Sequence, residues 1–107
     1  MFTIEIISDA DTGDFEGMLP EGMRVEHVSD YHEFDSTGGS WPVLQVIWDS
    51  GVPGSLVAAI LYDVIKKAAK KRSNEAPPKQ IQIDRTEIDF ERGEITRYVE
   101  EHIKIEE

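Results

Sequence analysis

The chain has 107 residues, enough for one domain with a modest core. Its 39% hydrophobic and 31% charged content sets it apart from disordered chains, and the lack of cysteine excludes a disulfide framework and thiolate metal sites. The net charge of −11 lies wholly before Lys66: twelve acidic residues and one basic residue precede it, and ten of each follow from there. Such a surface repels nucleic-acid phosphates and acidic membranes and attracts a basic protein surface.

The opening "MFTIEIISDAD" carries neither a basic n-region nor an apolar h-region, so the expectation is a cytoplasmic protein without a secretory signal. Within it "FTIEII", Phe2–Ile7, alternates and reads as a first strand. Residues 9–22, "DADTGDFEGMLPEG", are rich in turn formers and read as a loop, with a short helical turn near residues 15–19.

This acidic loop offers two chemistries. Asp11, Thr12 and Gly13 match the catalytic tripeptide of aspartic proteases, but Asp9 and Asp14 crowd it with like charge where the paired carboxylates need a shielded site. Asp9, Asp11 and Asp14 could hold a hard cation, yet the loop lacks the glycine and the glutamate of an EF-hand. A solvated acidic turn is the plainer reading, and with Glu16 these residues make a candidate rim for a partner.

"MRVEHV", residues 23–28, reads as a second strand. The following "HVSDYHEFD" gathers His27, Asp30, His32 and Asp35, ligand types for zinc or non-haem iron. They are weak metal candidates. The H-E-x-x-H pattern starting at His32 fails at position 36, which is Ser, and in an extended strand positions 27 and 32 face opposite sides. The expectation is therefore no metal and no cofactor.

Residues 34–42, "FDSTGGSWP", read as a flexible connection, and an exposed Trp41 there is a candidate interface anchor. "VLQVIW", residues 43–48, is nearly all apolar and reads as a central strand covered on both faces.

The apolar run of residues 52–65 resembles a membrane anchor but is too short and contains Asp63, where a span needs about 20 apolar residues. Val57, Ile60, Leu61, Val64 and Ala68 instead recur at the spacing of one helical face. Ser55, Asp63, Lys66, Lys67 and Lys70 fall mainly on the other side, with Ser55 as N-cap and Lys70, Lys71 and Arg72 at the negative end of the dipole. The "GVPGS" before the helix lacks the lysine of a Walker A loop, the glycine spacing of a dinucleotide fingerprint and the setting of a KH loop. It reads as a tight strand-to-helix turn.

After the break "SNEAPPK", "QIQID" and "EIDFE" alternate on either side of "RT", which suggests a hairpin turning at residues 85–86. In the tail, Ile95, Tyr98, Val99, His102 and Ile103 define a helical face better than a strand. The fold class is thus α+β: one domain over residues 1–107, with a mixed sheet of about five strands and two helices on one face, in the order β-β-β-α-β-β-α. No Ser-His-Asp arrangement has a recognisable context, so no catalytic residue is assigned.

The order "VLQVIWDSGVPGSLVAAILYDVIKKAAKKR", "IQIDRTEIDF" and "ITRYVEEHIKI" resembles the effector-associated constant components that accompany effectors in bacterial conflict systems. The resemblance is one of organisation and covers about half of the chain. It implies a non-enzymatic accessory or adaptor and supplies no catalytic residue.

Three functions from different classes follow. The first is an interaction or adaptor module that binds a protein with a basic or mixed surface through Trp41, Asp9, Asp11, Asp14 and Glu16. It binds neither nucleic acid nor membrane, and homo-oligomer formation stays open. The second is a phage-type acidic inhibitor that mimics nucleic acid with carboxylates including Glu21. The third is a metal-dependent enzyme built on His27 and His32.

Overall fold

A computed structural model describes residues 1–32, 40–73 and 79–106. Five strands form one sheet: β1 (Phe2–Ile7), β2 (Met23–His32), β3 (Ser40–Trp48), β4 (Gln80–Ile83) and β5 (Thr86–Asp89). Among the described residues three helices accompany it: α1 (Thr12–Phe15), α2 (Gly54–Ser73) and α3 (Arg92–Glu106). The strand order is β2-β3-β1-β4-β5, and every neighbouring pair is antiparallel. The α+β class stands. The expected mixed sheet is corrected to an antiparallel one, and α1 makes three helices where two were expected.

The alternation of β1 does what period two requires. Phe2, Ile4 and Ile6 are buried on the helix side, while Thr3 and Glu5 are only half-buried on the other. β3 is buried on both faces, as its composition demands. Leu44, Val46 and Trp48 join the main core, whereas Val43 and Ile47 are buried outside it on the opposite face.

The periodic face of α2 is the buried one. Val57, Leu61, Val64 and Ala68 are at most 2% exposed, and Ile60 is 8%. Each such side chain contributes about 1.5–3 kcal/mol if it is as large as Val or Leu. Ala58, Ile65 and Ala69 are buried too, which widens the stripe so that α2 meets the sheet and α3 at once. Ser55, Asp63, Lys66, Lys67 and Lys70 are exposed, and no helix among the described residues is long and apolar enough to cross a membrane.

Three local expectations are corrected. α2 starts one residue earlier than its proposed cap: the Pro53 carbonyl accepts from the Leu56 and Val57 amides at 3.0 and 3.1 Å, so Ser55 lies inside the first turn. The helical turn in the acidic loop is at Thr12–Phe15, because Asp11 and Asp14 cap it there. Trp41 and Pro42 are strand rather than loop residues, since β2 runs on to His32 and pairs with them.

α3 buries Ile95 and Val99 and half-buries Tyr98, His102 and Ile103. It crosses α2 at Gly54, where an added Cβ would stand 2.8 Å from Ile103 Cδ1. A second glycine with a steric reason is Gly22, whose φ of +89° and closeness to Asp49 suit no larger residue.

Candidate functional site

The acidic loop leaves β1 through buried Ser8, whose Oγ accepts from the Ala10 amide at 3.2 Å. Asp11 then caps α1. Its carboxylate accepts from the Asp14 amide at 3.3 Å, and the Asp14 carboxylate accepts from the Asp11 amide at 2.9 Å. Phe15, 1% exposed, anchors this turn in the core. Asp11 and Glu16 are exposed, and Asp9 and Asp14 are half-buried.

The edge strand β2 carries a bulge at Val28. His27 is in register with Leu44 and Ser29 with Val43, so Val28 is the extra residue, and it stands 56% exposed. The bulge reverses the alternation, and His27 and Asp30 share a face. Their side chains meet, with His27 Nε2 2.9 Å from Asp30 Oδ1. The parity argument that separated positions 27 and 32 fails across this bulge.

His27 and Asp30, with Asp11, Thr12, Gly13 and Pro42, line a shallow depression between the acidic loop and the end of β2 and β3. Among the described residues no group of three or more His, Asp or Glu side chains is placed to hold a metal ion. Asp35 and the side chain of His32 lie outside the described residues.

Trp41 is 36% exposed and sits on the outer face of the sheet, in register with Tyr31. Pro42, the next residue, faces the other side and lines the depression, so Trp41 and the acidic loop occupy the same end of the sheet on opposite faces. Of the proposed contact residues, Trp41, Asp11 and Glu16 are accessible there, and two of the carboxylates are already engaged in capping α1.

One cluster was missed by sequence reasoning. The turn between β4 and β5 is Asp84-Arg85, with φ of 52° and 65°, the signature of a type I′ hairpin. Asp84 is held on β1: its amide donates to the Glu5 carbonyl at 2.8 Å, and its Oδ1 accepts from the Glu5 amide at 2.9 Å. Its Oδ2 accepts from the Tyr98 hydroxyl at 2.7 Å and lies 3.8 Å from His102 Nδ1. Burial, together with the hydrogen bond to Asp84 and its negative charge, pushes the Tyr98 hydroxyl up from 10.0 to about 12.

His102 also leans on Trp48, with ring centroids 6.4 Å apart. Chemically, this cluster ties the last helix and the hairpin to β1. A carboxylate in the first position of a two-residue turn, with Tyr and His four apart on the next helix, was the signal available in the sequence. No family model, no curated protein and no solved structure matches the chain.

Proposed function

We propose that this chain is a non-enzymatic interaction module, an adaptor or accessory component of the kind found in bacterial conflict systems. It docks on a protein partner through the end of the sheet that carries Trp41. The observation that supports this most is a partly exposed indole at the end of the sheet that also carries the acidic loop: Trp41 stands on the outer face there, and the depression lined by Asp11, His27 and Asp30 opens at the same end on the helix-side face. Aromatic side chains dominate binding energy when they are buried at an interface, and rim charges raise the association rate. Together these give a basic or mixed partner surface a place to hold and a field to steer it.

The experiment is capture from the native host with the wild-type chain and with Trp41→Ala, each at low and high salt. A protein retained by the wild type, lost with Trp41→Ala and weakened by salt supports the reading. Equal retention by both chains overturns it. Selective retention of nucleic-acid-binding enzymes moves the function to an acidic mimic.

A further inference from the structure

β1 stops before its neighbours do. Ile7, its last residue, is in register with Val43 on one side and Gln82 on the other. β3 extends past that point to Ser40 and β4 to Gln80, so the two strands flank a gap one strand wide. On the outer face of the sheet a cleft opens there, lined by Trp41, Gln80, Ile81, Gln82 and Glu87. All four polar or aromatic residues point to that face by register: Gln82 pairs with Ile7 and with Glu87, and Trp41 stands two residues from Val43.

The lining selects its occupant. An indole supplies a π face, Glu87 supplies a carboxylate, and Gln80 and Gln82 supply amide oxygens that accept hydrogen bonds. Among the described residues no ion pair holds Glu87. An anion would meet this carboxylate within a chain of net charge −11. A purely apolar group would desolvate the Glu87 carboxylate and the glutamine amide oxygens while offering them no donor; the Gln80 amide N–H already donates to Asp89 Oδ1 at 3.3 Å. A lysine ammonium is a point charge that cannot lie flat on the ring while forking to oxygens. A guanidinium does both: it stacks on indole and donates in its own plane.

We propose that this cleft seats an arginine side chain of the partner protein, stacked on Trp41 with its N–H groups directed to Glu87 and the glutamine amides. The inference rests on the interaction reading above and names the chemistry of the partner. Trp48 is fully buried, so a change in tryptophan emission caused by a ligand reports on Trp41.

The probe is a short capped Gly/Ser peptide with one arginine, compared with the same peptide carrying lysine or citrulline. The arginine peptide shifts the emission saturably, and citrulline, which keeps the shape and loses the charge, binds at least roughly fivefold more weakly. Glu87→Gln weakens the arginine peptide by a similar roughly five- to tenfold, and Trp41→Phe abolishes the emission change. Melting curves of both variants check that they fold; should Trp41→Phe not fold, the exposed Glu87→Gln carries the test. Equal affinity for arginine and citrulline, or an unchanged affinity in Glu87→Gln, overturns the proposal, as does quenching by a neutral saccharide alone. If partner capture still depends on Trp41 while these peptide arms fail, the arginine assignment falls and the interaction reading stands.

Discussion

The Tyr98 hydroxyl donates to Asp84 Oδ2 at 2.7 Å, and this bond joins α3 to the two-residue turn between β4 and β5. Asp84 Oδ1 is already engaged by the Glu5 amide at 2.9 Å, so one carboxylate bridges β1, the hairpin and α3. Removing the hydroxyl leaves Oδ2 with His102 at 3.8 Å as its remaining close partner among those described. Tyr98→Phe is expected to cost about 1.5–3 kcal/mol, the scale of one hydrogen bond to a charged group. Urea denaturation with an unchanged m-value measures it, and a variant as stable as wild type would show the bridge to be idle.

The same contact predicts a response to alkali. The Tyr98 pKa in the folded chain, about 12, lies above the ordinary 10.0, chiefly through burial and then through Asp84. The folded state therefore keeps a proton that the unfolded chain gives up, and stability falls as pH rises. The contribution is complete below pH 10.0 and fades between 10.0 and about 12. Titration of tyrosinate absorbance should show a late ionisation step that coincides with loss of structure. Tyr98→Phe removes that late step.

How far such features can be read from sequence depends on their range. The buried face of α2 was legible because it repeats its period over many residues, and burial of Val57, Leu61 and Val64 is what that period encodes; β3 was legible because its run is apolar on both faces. The tail is helical for the same reason, with Ile95 and Val99 on its buried face. The bulge at Val28 was not legible, because an extra residue is defined only against the partner strand. The pairing of His27 with Asp30 was hidden with it. The role of Asp84 was hidden by distance along the chain, since its partner Glu5 lies 79 residues away. Trp41 looked like loop because Pro42 and the glycines before it suggest a break. Pairing with Tyr31 makes it strand.

The turn itself carries strain that one substitution should relieve. Arg85 has φ of 65°, a left-handed conformation that costs a residue with Cβ about 1 kcal/mol or more. Its side chain recovers part of that by donating to Glu5 Oε1 at 3.1 Å, an exposed contact worth at most about 1 kcal/mol. Arg85→Gly is thus expected to raise stability by up to about 1 kcal/mol, and Arg85→Val to lower it. Thermal melts of the pair decide it, and a destabilised glycine variant would place the ion pair above the backbone term.

At the α2–α3 crossing, an alanine at position 54 would meet only the end of the Ile103 side chain, at 2.8 Å, while Val99 Cγ1 stands at 3.4 Å. Ile103 can turn aside, and alanine gains helix propensity of up to about 1 kcal/mol, so Gly54→Ala is expected to be close to neutral. Leucine has no such way out and must push the helices apart, at a cost of about 1–3 kcal/mol. The contrast between the two variants in chemical denaturation measures how closely the helices approach.

Asp11 holds two roles that one pair of variants can separate. As N-cap of α1 it accepts from the Asp14 amide at 3.3 Å, and as an exposed carboxylate it belongs to the acidic rim beside His27 and Asp30. Serine caps helices nearly as well as aspartate but carries no charge, whereas alanine does neither. Asp11→Ala should therefore lose about 1 kcal/mol of stability and Asp11→Ser a few tenths at most. Both should slow association with the captured partner equally at low salt, and neither should do so at high salt, where exposed charges are screened beyond about 10 Å or less. Association rates from surface binding read this out. If only the alanine variant binds slowly, Asp11 acts on the partner through the shape of the loop, and the rim does not steer.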